Sequence, residues 1–223
     1  MKKFVIAFSV CLVVVQVALA SVIFEDNFTV DNGNWMKIGL VNSTSTMSFS
    51  NGVMTVVGTG TNAAFIKHDM TLPAEFTYSV DVTTTSTNYS MLGLYCNGTA
   101  TIDGYSLLIN ANQQYQVFKM TGGSSSTLSA SVNSFLTVST NTLTISKSGS
   151  IIKAFCNGKL VATCTDASYS GGFISLIVPA GVTAQFDNII VTNTAYSVPA
   201  TTCFSDNFDD GDLNGWYTAR VGS

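Results

Sequence analysis

Few residues in this chain have the types and spacing needed for acid–base or nucleophilic chemistry. Glu25 and Glu75 are the only glutamates, His68 is the only histidine, and Asp69, Asp81, Asp103 and Asp166 stand singly between apolar segments. Acid–base catalysis on an ether-like bond needs two carboxylates flanking one bond, one to protonate and one to attack or activate water. No stretch of this sequence presents such a pair. A Ser/His/Asp relay would have to use His68, and no Gly-x-Ser-x-Gly elbow exists to present the nucleophile. With one histidine and no Cys-x-x-Cys, a zinc site lacks its ligands.

A binding surface needs other chemistry. Sugar rings offer apolar faces and many hydroxyls, so their binders pair flat aromatics with amide and hydroxyl groups at a rim or concavity. The segment from Tyr89 to Tyr115 has that composition. Tyr95, Asn97, Tyr105, Asn112 and Gln114 are its candidate ligand contacts, with His68 joining from a neighbouring loop. Asn27, Asn42, Asn88 and Asn97 also stand in Asn-x-Ser/Thr sequons, which matter only in a glycosylating host.

The elements that must position these residues read as strands. Ser and Thr make up about a quarter of the chain, and charged residues only 10%. Short alternating segments run from Ser21 to Asn193, separated by Gly, Asn, Asp and Ser. They include Val53–Val57 after Asn51-Gly52, Phe76–Val82, Tyr105–Ile109 leading to Tyr115–Phe118, and a meander over Thr142–Ile145, Ile151–Cys156 and Lys159–Thr163. Phe173–Val178 and Phe186–Thr192 close the series. Asn-Gly between alternating runs signals a two-residue hairpin, and no useful stretch keeps a helical period. The pattern predicts an all-β, two-sheet antiparallel sandwich of jelly-roll type. A net charge of −4 supplies no basic footprint for nucleic acid or an anionic membrane.

Residues 1–20 read as a secretory signal: Lys2 and Lys3, an apolar run from Phe4 to Val17, then Ala18-Leu19-Ala20. The run is shorter than the roughly 20 apolar residues of a membrane span. The expectation is a secreted, extracellular or cell-surface protein with no membrane contact after cleavage. Residues 21–194 form one module and 195–202 a Pro/Ser/Thr linker. Residues 203–223 begin a second copy: Phe24-Glu25-Asp26-Asn27-Phe28 returns as Phe204-Ser205-Asp206-Asn207-Phe208, and Trp35 as Trp216. The parent protein is thus expected to continue past Ser223 into further modules. Of the mature cysteines, Cys96, Cys156, Cys164 and Cys203, the pair on the Asn157-Gly158 hairpin can be placed. Cys156 should face Lys159 and Cys164 face Ile151, several residues apart and on opposite faces, which rules out a bridge between them.

The order of landmarks resembles the concanavalin A-like lectin/glucanase jelly rolls, closest to the LamG-like and 3-keto-disaccharide-hydrolase-like modules. The matching pieces are the opening DNF…GNW, GLYCNGT at 93–99, GYSLLI at 104–109, AFCNGKLV at 154–161, DASYSGGFISL at 166–176 and FDNIIV at 186–191. The resemblance implies a glycan partner and a structural calcium between the first and last strands, with Asp26 and Asp187 as ligands. The Glu-x-Asp-x-x-Glu strand of laminarinase-like members has no counterpart here. The expectation is therefore a non-catalytic carbohydrate-binding module. A glycoside hydrolase of the same fold and an adhesive or structural repeat remain the alternatives.

Overall fold

The computed structural model describes residues 20–38, 41–99, 102–132 and 135–194. The signal-type segment before residue 20, the linker and the repeated segment of 203–223 lie outside them. The described residues form fifteen strands in two antiparallel sheets, the sandwich the sequence predicts. The first sheet has eight strands, in the order β13 (Lys159–Thr165), β12 (Ile151–Cys156), β11 (Thr140–Ser148), β6 (Glu75–Thr84), β15 (Thr183–Thr192), β4 (Val53–Gly58) and β3 (Ser45–Ser50). Its eighth, β1 (Val22–Asp26), pairs with β15. The second sheet has seven strands, in the order β10 (Ser124–Val132), β9 (Gln114–Thr121), β8 (Gly104–Ile109), β7 (Leu92–Gly98), β14 (Phe173–Val178), β5 (Ala64–His68) and β2 (Trp35–Lys37). Among the described residues no helix is long and apolar enough to cross a membrane.

Period-two patterning sets the faces. Phe76, Tyr78, Val80 and Val82 of β6 all point into the core, where they meet Leu92, Leu94 and Cys96 of β7. The intervening residues of β6 face out and explain much of the Ser/Thr content. Thr77 donates to Ser146, Ser79 pairs with Thr144 at 2.8 Å, Thr142 donates to Asp81 and Thr83 pairs with Thr140. Each of these is a register pair of β6 and β11, so the outer face carries a continuous ladder of hydroxyl hydrogen bonds. Cross-strand pairs of this kind each stabilise a sheet by a few tenths of a kcal/mol to about 1 kcal/mol.

The predicted hairpins form. Asn51-Gly52 and Asn157-Gly158 both hold positive φ at the two central turn residues, as a type I′ turn requires. Cys156 faces Lys159, as expected, but Cys164 pairs with Ile152 rather than Ile151. A bulge inserts Val161 between the pairs Ala154–Ala162 and Phe155–Leu160, which turns Cys164 over. Both cysteines thus face the core, correcting the opposite-face expectation; with Cys96 they are buried free thiols.

Candidate functional site

The structure distributes the six predicted ligand residues over several places. Tyr95 projects from the outer face of β7, opposite the core-facing Leu94 and Cys96. There it joins a second, smaller apolar cluster with Phe65, Leu108, Phe173 and Ile177. Its ring lies over Gly104, whose added Cβ would come within 2.9 Å of the Tyr95 Oη, and the Phe173 ring lies over Gly98 in the same way. Tyr95 is fully covered, and neither its Oη nor the Oγ of its cross-strand neighbour Ser106 has a hydrogen-bond partner. Burial pushes the Tyr95 hydroxyl well above the ordinary tyrosine range, so it stays protonated.

Asn97 lies near the end of the same strand at φ +55°, buried, with its Nδ2 donating to the Gly171 carbonyl at 2.9 Å and its Oδ1 unpaired. Tyr105 faces the opposite way, into the core. Its hydroxyl donates to Asp166 Oδ1 at 2.6 Å and accepts from the Tyr169 backbone N–H. Lys119 pairs with the other Asp166 oxygen at 2.9 Å. Partial burial opposes ionisation of Asp166, but hydrogen bonds from Tyr105, Lys119 and Ser168 outweigh it and hold the carboxyl well below the usual range. This network ties the loop after β13 to β8 and β9, and so closes one end of the sandwich.

His68 sits at the other margin of the second sheet, between Trp35 of β2 and Ile174 of β14. Phe24 and Trp35 pack on it at centroid distances of 4.3 and 5.3 Å, and its Nδ1 is buried without a partner. Burial lowers its pKa from 6.5, against the opposing pull of Asp26 and Asp69. It is a packing residue of this corner, two strands from Tyr95, one register step away and on the opposite face of the sheet.

Asn112 lies in the β8–β9 turn and Gln114 opens β9; an open cleft forms beside the turn, lined by Asn112 but not by Gln114. Its volume is about 290 Å³ and its lining comes from three connections: Asn88, Tyr89 and Ser90 before β7, Asn110 and Asn112, and Pro179, Ala180 and Val182 before β15. Asn110 builds the turn, accepting from the Asn112 and Gln114 backbone N–H groups and donating its Nδ2 to Gln114 Oε1 at 2.7 Å. The Ala111 N–H donates to the Tyr89 carbonyl and locks two of the connections together. The third is seated on Gly58, whose N–H donates to Val182 and whose carbonyl accepts from Gly181. A side chain there would meet the Pro179 carbonyl oxygen at 2.2 Å, so this close approach requires glycine. Asn88, Ser90 and Asn112 are exposed beside the half-enclosing Tyr89 and Pro179. The Pro179–Val182 wall was missed by sequence reasoning, because only the strand order brings that turn beside the other two.

A larger polar pocket of about 450 Å³ lies between the β1–β2 connection and β15, lined by Glu25, Asp26, Asn27, Thr29, Asn32 and Asn188 among others. Carboxylates and amides dominate it, and no aromatic residue lines it. Calcium between Asp26 and Asp187 does not fit this geometry. Asp26 points to the core corner, its Oδ1 accepting from Phe28 N–H and its Oδ2 from Trp35 Nε1–H. Asp187 lies beside Asp81 on the outer face of the first sheet. Calcium takes six to eight oxygens, and among the described residues no three acidic, histidine or cysteine side chains gather.

No family model and no curated protein matches the sequence. Solved structures do match the fold. The carbohydrate-binding module CBM66 of Bacillus subtilis is 20% identical over 71% of this chain and 95% of that one, with a TM-score of 0.60. A Bacillus subtilis protein with a galectin-like fold is 10% identical over 80% of this chain and 100% of that one, with a TM-score of 0.65. A Bacillus licheniformis β-glucanase is 14% identical over 81% and 100%, with a TM-score of 0.56. At these identities the likeness is one of fold: the chain is a concanavalin A-like jelly roll, an architecture shared by a carbohydrate-binding module and by glucanases.

Proposed function

We propose that this chain is a secreted, non-catalytic carbohydrate-binding module that works beside further modules of the same protein. The observation that carries the reading is the open rim cleft. Asn88, Ser90 and Asn112 line it together with Tyr89 and the apolar Pro179–Val182 turn. Its volume is close to the lower end for small-ligand sites, roughly 300 Å³, and suits one or two sugar rings. The structural likeness to a module named for carbohydrate binding supports the same reading. Tandem copies would strengthen binding to a repeating polymer, since the second contact is intramolecular.

Binding fits better than hydrolysis because of what occupies the outward positions of the central strands. Those of the second sheet include Tyr95, Ser106, Leu108, Phe173, Ser175 and Ile177, none of them a carboxylate. Pairing does bring Asp81 and Asp187 side by side, but on the outer face of the first sheet, where Thr142 and Asn188 hold the Asp81 oxygens. Such a pair lacks the cleft that glycoside cleavage needs around two carboxylates.

A panel of soluble and insoluble glycans, assayed for retention and for released sugar, tests the reading. Retention without product, lost in Asn88→Ala/Asn112→Ala at unchanged melting temperature, is the expected result. Released sugar would make the chain a hydrolase, and neither retention nor product would leave the structural repeat.

A further inference from the structure

At the end of the sandwich that holds the rim cleft, the strand connections are joined into one continuous row. The Thr84 N–H, at the end of β6, donates to the Ser139 carbonyl before β11, and Thr84 Oγ1 donates to the Thr183 carbonyl. Ala111 is tied to Tyr89, and Gly58 to the 179–182 turn. Beyond Gly58, Thr59 and Gly60 donate their N–H groups to the Thr44 carbonyl, and Thr61 and Asn62 donate theirs to the Asn42 carbonyl. Asn62 Nδ2 adds a bond to the Val41 carbonyl at 2.9 Å. The row crosses the whole seven-strand width of the second sheet, roughly 30 Å at ~4.8 Å per strand, with the cleft near its middle. On either side of the cleft it carries exposed apolar side chains: Val41 is 82% exposed, Val138 74% and Phe135 48%. Its segments, 39–44, 59–63, 85–91, 110–113, 133–139 and 179–182, are otherwise built of amides, hydroxyls and small residues and hold no charge. The carboxylates of Asp69, Glu75, Asp103 and Asp166 stand at the opposite end of the sandwich.

The geometry points to this row as the path of an extended, uncharged polysaccharide, with one part of the chain in the cleft and its neighbours over Val41 on one side and Phe135 and Val138 on the other. This inference rests on the carbohydrate-binding reading and names its ligand class. Sugar rings present hydroxyl edges and apolar C–H faces, and the row supplies amides for the first and apolar side chains for the second. The hydrogen bonds between connections hold the path in place before the ligand arrives, which lowers the ordering cost of binding. A uronate or sulfate on the same path would lose water against neutral amides with no cation to offset the loss. A net charge of −4 repels an anionic chain as well.

Calorimetry and affinity electrophoresis on a neutral β-glucan, xylan, mannan and fructan, each beside its carboxymethylated form and its short oligosaccharides, test it. For the backbone that binds, affinity should rise with chain length beyond what fills the cleft and stay level as salt rises. Carboxymethylation should weaken it at least about tenfold. Val41→Ser/Val138→Ser should weaken binding of the polymer several-fold while leaving short oligosaccharides and the melting temperature unchanged, since both side chains are mostly exposed. Preference for the carboxymethylated chain, affinity that stops rising once the cleft is filled, or a polymer indifferent to the double substitution would overturn this inference and leave the binding reading standing. Absence of binding to every chain would overturn both.

Discussion

Asp26 accepts the indole hydrogen of Trp35 at 2.9 Å, and its other oxygen accepts the backbone N–H of Phe28 at 2.8 Å. The Phe28 and Trp35 rings pack at 5.8 Å, so one carboxylate pins the first strand, its turn and the second strand into a corner. These three residue types are the ones that return as Asp206, Phe208 and Trp216.

Removing that carboxylate should be costly. Asp26→Ala leaves a largely buried indole N–H without its acceptor, and hydrogen bonds to charged groups are worth about 1.5–3 kcal/mol. Chemical denaturation of Asp26→Ala, Trp35→Phe and the double variant should show losses near that size and a double loss smaller than their sum. Strict additivity would mean that the two side chains do not act together.

Acid should loosen the same corner through His68. Burial keeps its folded pKa below 6.5, so the unfolded chain binds the proton more readily. The stabilisation by the neutral ring is complete above pH 6.5 and is lost as pH falls through the lowered folded pKa. Melting temperature should therefore drop between pH 7 and 5 in the wild type and change less in His68→Gln. Equal slopes in the two proteins would remove His68 as the cause.

The core thiols should be inert. Burial pushes the Cys156 thiol up to about 12 and raises Cys96 and Cys164 as well, with Lys147 only partly offsetting the effect at Cys96. A thiol kept protonated and covered is a poor nucleophile. Iodoacetamide at neutral pH should label the peptides carrying these residues only after denaturation, as read by mass spectrometry.

Gly58 should prove the most sensitive point of the rim cleft outside its lining. In Gly58→Ala the new Cβ presses on the Pro179 carbonyl oxygen, and backbone must move to admit it. Overpacking of this kind costs about 1–3 kcal/mol. Glycan retention should fall with stability, whereas Asn112→Ala should lower retention alone.

Residue order alone carries the fold class, the inward parity of Phe76, Tyr78, Val80 and Val82, and the two Asn-Gly hairpins. Each is a local matter of side-chain period or backbone chirality. Strand β10 was not legible, because an edge strand exposed on both faces has no apolar alternation to betray it. The Val161 bulge was equally hidden, and it reversed the face of Cys164. Residue types along Tyr89–Tyr115 suggested one binding surface, yet alternation sends Tyr95 outward and Tyr105 inward, and burial claims both. Asn112 reached an open cleft because the strand order places the Tyr89 loop and the Pro179 turn beside it. Which polar residues stay free for a ligand depends on long-range pairing, which no local pattern of residue types carries.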